Sequence, residues 1–314
     1  WPGRIDGTLD LRIEDGAQGL AVALEIAELG GTLRGQRLSG SGRVDWRNGG
    51  VGGDLALALG DSRLRLRGTP AAELDLLLAL DPLRLDPYDA TARGELRGEL
   101  RVRGAPERPR VDGALSADSV VVAGLGVGDA RLAFDVPTAD LLAGRVELQA
   151  SGVVYEGEPM GQVEARFEGG GEAPGFALAA DGPRGKWALA GEGGSQRGRW
   201  QGRLVQFEVV PADAPAWSLD APAARAFSDR DADLAEACLT HAGGGQLCLA
   251  ADGDDGRQSA TLALRALPLA ALAPAGLAGL AVEGVAESEL ALTRLEDGRL
   301  SGSGRLALGE GGLQ

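Results

Sequence analysis

The sequence predicts an all-β chain: a long, antiparallel-rich sheet built hairpin by hairpin, apolar on one face and polar on the other. Three observations carry this. Apolar residues recur at every second position over most of the chain, the period of a strand, whose successive side chains leave opposite faces. Turn-forming residues punctuate these runs at short intervals, with 51 Gly and 15 Pro among 314 residues. No long stretch has the 3.6-residue period of an amphipathic helix.

The stretch from Gly52 to Thr69 shows the pattern best. Leu55, Leu57 and Leu59 alternate with Asp54, Ala56 and Ala58, and Leu64 and Leu66 alternate with Arg63, Arg65 and Arg67. A four-residue loop, Gly60–Arg63, sets Leu59 opposite Leu64 and Leu57 opposite Leu66. Every Leu then shares one face, and a one-residue slip would mix the faces.

Earlier in the chain, Leu9, Leu11 and Ile13, then Leu20, Val22, Leu24 and Ile26, keep the same alternation, with turns marked by Gly16 and by Gly30-Gly31. Arg37-Leu38-Ser39-Gly40-Ser41-Gly42-Arg43 returns unchanged at Arg299–Arg305, again leading into an apolar alternation, which suggests an internal repeat. Leu78-Ala79-Leu80-Asp81-Pro82-Leu83 is echoed by Leu264-Arg265-Ala266-Leu267-Pro268-Leu269, and each precedes a new run of strands. Strands follow over Gly94–Arg103, Arg110–Ala117, Asp129–Val136, Arg145–Tyr155, Gly161–Phe167, Phe176–Ala180, Lys186–Ala190 and Arg199–Val209. After residue 233 they resume at Ala235–Thr240, Gln246–Ala250, Ser259–Leu264, Ala281–Leu292 and Arg299–Leu308. This gives hairpin repeats over 1–210, an irregular Pro/Ala-rich crossing over 211–233 with a helical turn near Ala221–Ala226, and a continuation of the sheet over 234–314.

Composition bounds function. The chain carries 31 basic against 46 acidic residues, a net charge of −15, which disfavours nucleic acid and anionic headgroups as partners. Only 4% of residues are aromatic, which suits a thin aliphatic layer better than a thick core. The longest uncharged segment, Ala266–Val282, contains Pro268, Pro274, Gly276 and Gly279 and is shorter than the ~20 residues of a spanning helix. The start at Trp1-Pro2, without a leader, reads as an internal segment of a longer chain.

Enzyme signatures are missing, and no catalytic residue, metal or cofactor is assigned. His241 is the only His, so His-based triads and metal clusters lack material. Lys186 is followed by Trp187, which is no P-loop, and Gly124-x-Gly126-x-x-Asp129 lacks the third Gly of a dinucleotide fingerprint. Gly49–Asp54 matches only the start of a calcium-binding nonapeptide, and Asp252, Asp254 and Asp255 lack a downstream ligand Glu. Trp46, Trp187, Trp200 and Trp217 read as packing residues before membrane-rim anchors.

A hairpin turning at Ala242–Gly244 places Cys238 directly opposite Cys248, within disulfide reach at about 4.5 Å between Cα atoms. The bridge falls on the face opposite Leu239, Leu247 and Leu249, the wet side. The alternative is two free thiols. A disulfide there implies an oxidising compartment.

A sheet with one apolar face must cover it, and no helix layer is encoded. Curling into a trough is one solution, lined by Leu9, Leu11, Val22, Leu24, Leu55, Leu57, Leu59, Leu64, Leu66, Leu76 and Leu100. An open apolar trough marks a binding surface, and acyl chains are its natural guests at ~0.8 kcal/mol per buried CH₂. The alternatives are a sheet closed on a dry core and, in another class, a β-solenoid passenger or adhesin segment with a filled core.

The hairpin repeats resemble the TamB family of translocation and assembly module proteins and their AsmA-like, bridge-like lipid-transfer relatives. The likeness rests on Ala216-Trp217-Ser218-Leu219-Asp220-Ala221-Pro222, on Ala237-Cys238-Leu239 with Leu247-Cys248-Leu249, and on Ala266–Leu272. Gly94–Arg103 followed by Ala105-Pro106-Glu107-Arg108-Pro109-Arg110-Val111-Asp112-Gly113 adds to it. The resemblance implies a U-shaped "β-taco" sheet with an apolar concave groove. It implies a periplasmic location in a Gram-negative envelope, with an inner-membrane anchor elsewhere in the full chain and a TamA-like Omp85 outer-membrane partner. It implies roles in phospholipid transport between the membranes and in outer-membrane protein assembly.

Overall fold

A computed structural model describes residues 3–309 and 311, except 17–18, 48–49, 90, 172, 197–198, 228–231, 254–255, 270–282 and 310. The chain forms two compact units, Trp1–Gly169 and Gly170–Gln314. Both are all-β, and every strand pairing among the described residues is antiparallel. The coils of a solenoid would pair parallel strands, so that alternative is set aside. No described helix is long and apolar enough to cross a membrane.

The first unit holds β1 (Gly3–Gly16), β2 (Gly19–Leu33), β3 (Gln36–Arg47), β4 (Gly50–Leu59), β5 (Ser62–Gly68) and β6 (Leu74–Arg84). It continues with β7 (Arg93–Gly104), β8 (Arg110–Val122), β9 (Leu125–Pro137), β10 (Arg145–Tyr155) and β11 (Glu158–Glu168). Each strand pairs with the next in sequence. Tight turns set this meander. At Arg34-Gly35, Ala123-Gly124 and Glu156-Gly157 both central residues have positive φ, the turn geometry that matches strand twist.

The β4–β5 hairpin corrects the expected loop. Gly60, at φ 57°, and Asp61 make a two-residue turn, so Leu59 faces Ser62, Leu57 faces Leu64 and Leu55 faces Leu66. The register moves by two residues, which leaves every Leu on its expected face. A second correction concerns Gly30-Gly31, which lies inside β2; the chain turns at Arg34-Gly35 instead.

The second unit holds β12 (Gly175–Gly182), β13 (Gly185–Gln196), β14 (Arg199–Pro211), β15 (Trp217–Leu219) and β16 (Ala223–Phe227). It ends with β17 (Ala232–His241), β18 (Gln246–Gly253), β19 (Arg257–Pro268), β20 (Val285–Leu295) and β21 (Leu300–Leu308). The helical turn expected near Ala221–Ala226 is strand instead. β15 and β16 both lie between β14 and β17, acting as one interrupted strand. The interruption spans Asp220–Pro222, where proline lacks the N–H a ladder needs. Of Ala266–Val282, residues 270–282 lie outside the described residues.

Full burial is local. In the first unit Leu80, Ala92 and, at the β4–β5 turn, Leu59 and Ser62 are buried. There Ser62 Oγ accepts from the Arg84 N–H at 3.0 Å. Arg34 donates to the carbonyls of Pro87 (3.1 Å) and Tyr88 (2.5 Å), tying the β2–β3 turn to the β6–β7 connection.

Candidate functional site

The antiparallel register carries side chains across the first unit in rows. One row runs Leu9, Ile26, Gly42, Leu55, Leu66, Leu78, Leu100, Gly113, Phe134, Val146 and Phe167. Beside it lies Gly7, Leu29, Gly40, Leu57, Leu64, Leu80, Gly98, Leu115, Leu132, Leu148 and Ala165. A third runs from Leu11 and Leu24 through Val44, Gly53, Gly68, Leu76, Val102 and Val111 to Val136. None of the three contains Asp, Glu, Lys or Arg. At ~4.8 Å per strand, eleven strands make an uncharged strip roughly 48 Å long.

All eleven residues named from the sequence stand on this face. They differ in cover. Leu9 and Leu11 on β1 are 62% and 59% exposed, and Leu55, Leu57, Leu64, Leu66, Leu76 and Leu100 are half-buried. Leu59 is the exception, buried at the β4–β5 turn beside Ser62. Half-burial means that neighbours on the same face cover each side chain while its outer surface stays open.

The rows stay on one face because the sheet absorbs irregularities. Bulges fall between Ile26 and Leu29 and between Leu80 and Leu83 in this unit, and between Leu234 and Ala237 and between Leu264 and Leu267 in the other. In each the apolar step grows from two residues to three, so the inserted residue turns the next apolar side chain back to the same face. The two hexapeptide echoes contain two of these bulges.

The opposite face is polar and orders itself by ion pairs. Arg101 holds Asp75 through two hydrogen bonds of 2.7 and 2.9 Å. Arg103 pairs with Asp112, Arg110 with Asp135 and Arg145 with Glu168 across successive strands. The hydrogen bond from Arg101 holds the Asp75 carboxyl below the usual carboxylate range, and that from Arg110 does the same for Asp135. These pairs are solvent-exposed, so water and salt screen them and each contributes little to stability.

In the second unit the apolar face is less uniform. Leu219, Leu239, Leu247 and Leu264 form one row, and Ala237, Leu249, Leu262 and Leu290 the next. Leu249 and Leu262 are 42% and 37% exposed. Arg225 stands in a row with Gly202 and Leu234, a charge on the apolar face. Trp217 and His241 share the end of this face, ring centroids 4.8 Å apart. His241 Nδ1 accepts from the Gly243 N–H, so the buried ring closes a hairpin. The Trp200 ring covers Gly193 and Gly202, a packing role.

Cys238 and Cys248 face each other and are joined, Cα to Cα 4.0 Å, on the polar face opposite Leu239 and Leu247. Cys248 is only 1% exposed, more enclosed than a wet-side position suggests. The ion pair of Arg265 with Glu236 lies alongside, with Arg265 Nη1 3.8 Å from the Cys238 sulfur. Among the described residues the one grouping of metal-ligand types is Glu236, Cys238 and Cys248. Its two sulfurs are bonded to each other, so neither offers a thiolate.

The arrangement therefore offers a long aliphatic surface on one face and paired charges on the other. Sequence reading missed the Arg34 tie, the ion-pair ladder and Arg225. The last had a signal, since Arg225 falls in step with Ala223 and Phe227.

Searches of curated proteins and of solved structures return no match. The family model described as "TamB, N-terminal domain" matches residues 1–306. With nearly the whole chain covered, and with the one-faced hairpin meander on which the resemblance rested, the chain belongs to the TamB N-terminal domain family.

Proposed function

We propose that the uncharged face conducts phospholipid acyl chains between the inner and outer membranes of a Gram-negative envelope, without enzymatic chemistry. The observation that carries this is the unbroken register of apolar rows across eleven strands with no ionised residue in them. An acyl chain laid on such a strip gains ~0.8 kcal/mol per buried CH₂. It gains much the same at the next strand, so it slides without a deep trap. The headgroup stays in water at the open side. Family membership supports an envelope-associated, TamB-type role. The same reading gives the protein a periplasmic setting, a membrane anchor elsewhere in the full chain, a TamA-like Omp85 partner and a part in outer-membrane protein assembly. The Cys238–Cys248 bridge fits an oxidising compartment.

Charge substitution tests the reading. On a conducting strip Leu57→Ala removes a few contacts and leaves transfer nearly unchanged. Leu66→Asp puts an ion where chains must pass, and an unpaired charge in an apolar site costs far more than a lost methyl group. The expected result is a folded Leu66→Asp chain, by circular dichroism, that no longer transfers phospholipid between donor and acceptor vesicles. A folded variant that transfers at the parent rate overturns the proposal. In a sealed core Leu57→Ala would instead cost ~2–5 kcal/mol, and Leu66→Asp would unfold the unit.

A further inference from the structure

On the polar face of the first unit, charges that come within reach pair with one another, as Asp75 with Arg101 and Arg145 with Glu168 do. Some charges do not, among them those around one cavity. A cavity of about 580 Å³ lies over β2 to β6, lined by Glu28, Ser39, Ser41, Arg63, Arg65 and Asp81. Register places it on the polar face: Ser39 is opposite Ala58, and Ser41 is opposite Ala56, which in turn is opposite Arg65. Ala56 and Ala58 make its floor and leave the volume unfilled. Among the described residues none of Glu28, Arg63, Arg65 and Asp81 makes an ion pair or a side-chain hydrogen bond, although Asp54, Asp61, Arg67 and Arg84 nearby all do.

Two like charges two residues apart on one strand, about 7 Å along it, repel each other and gain from a shared anion. Guanidinium forks match phosphate and carboxylate geometry. With two guanidinium groups and two hydroxyls, the donors outnumber what a two-oxygen carboxylate accepts and suit a phosphate. The unpaired carboxylate of Asp81, on the strand beside Arg63 and Arg65, leaves a complementary place for a cation. The volume falls in the ~300–1,000 Å³ range of small-molecule sites.

We propose that this cavity binds a small zwitterion carrying a phosphate and an ammonium group, of the phosphoethanolamine type, either free or as a lipid headgroup. Arg63 and Arg65 take the phosphate, and Asp81, on the strand beside theirs, takes the ammonium. The site goes beyond the acyl-chain reading, because it lies on the opposite face from the apolar rows and does not depend on them.

Titration of the purified intact chain, followed by calorimetry, tests it with phosphoethanolamine, inorganic phosphate, ethanolamine and β-alanine as probes. Saturable binding of phosphoethanolamine, at least tenfold tighter than of any other probe, is expected. Arg63→Gln with Arg65→Gln should weaken it tenfold or more. Asp81→Asn should remove the preference over inorganic phosphate while phosphate still binds. All three side chains are exposed, so circular dichroism should match the parent. Retention on phosphatidylethanolamine vesicles, competed away by phosphoethanolamine, supports a lipid source; binding of the soluble probe alone supports a free one. Absence of saturable binding, equal affinity for inorganic phosphate or β-alanine, or an unchanged affinity in the double Arg variant would overturn the proposal. Lipid transfer by the apolar face would survive that outcome, so the two readings fail separately.

Discussion

Leu57 reaches over Gly40 on the neighbouring strand, so that a methyl group placed at position 40 would lie 2.6 Å from its Cδ2. The second copy of the heptapeptide repeats the relationship: a methyl at Gly302 would lie 2.7 Å from Leu292 Cδ2. The repeated Gly-Ser-Gly is thus a seat for cross-strand leucines. Gly42 is more constrained, at φ 151° with a Cβ position 2.2 Å from the Asp54 carbonyl oxygen. Leu57 can swing aside but a carbonyl cannot. Gly40→Ala should therefore cost about 1 kcal/mol and Gly42→Ala about 2 kcal/mol or more. Urea unfolding of the two variants measures the difference, and equal costs would contradict the packing described.

The Cys238–Cys248 bridge closes a loop with a sequence separation of 10. Loop-closure entropy for that length corresponds to about 2–3 kcal/mol of stabilisation. Protein from an oxidising compartment should take up no alkylating reagent until it is reduced, as read by intact mass. Cys238→Ser with Cys248→Ala should lower the unfolding midpoint of the second unit. Ready alkylation without reductant would remove the argument for an oxidising location.

Acid sensitivity should come from the polar face. The carboxyls of Asp75 and Asp135 are held low by hydrogen bonds from Arg101 and Arg110. Their folded pKa values lie below the unfolded value of about 3.9. Their contribution to stability is therefore fully present above that value and is lost as pH falls through the folded pKa. The urea midpoint should be insensitive to these groups from neutral pH down to about 5 and should decline below about 4. Asp75→Asn with Asp135→Asn should make that decline shallower. An acid limb identical to the parent's would show that the pairs contribute nothing.

The faces of the sheet were legible because period two is a property of the backbone. Leu55, Leu57, Leu64 and Leu66 keep their face under any even shift, so the wrong loop at Gly60–Arg63 left them correctly placed. The register itself was not legible, because Leu59–Leu64 and Leu59–Ser62 pairings satisfy the same alternation and only the Gly60-Asp61 turn decides. The strand at Ala223–Phe227 was hidden by Pro215 and Pro222 and by an Ala-rich composition that reads as helix. β17 follows it directly, but its partners on β14 lie well back in the chain, with Trp200 opposite Phe227, and this pairing overrode local preference. The polar cavity had no sequence signal, since Arg63, Arg65 and Asp81 look like any solvated strand face until their neighbours are known.

The central claim is that one face of the sheet carries acyl chains and the other does not. Photo-crosslinking amino acids placed at Leu57, Leu66, Leu76 and Leu100 on the apolar face, and at Arg67 and Arg101 on the polar face, test it in chains expressed in a cell envelope. Mass spectrometry of the purified protein should find phospholipid acyl adducts at the four leucine positions and none at the two arginine positions. Equal labelling of both faces, or no lipid adduct at any leucine position, would contradict the account.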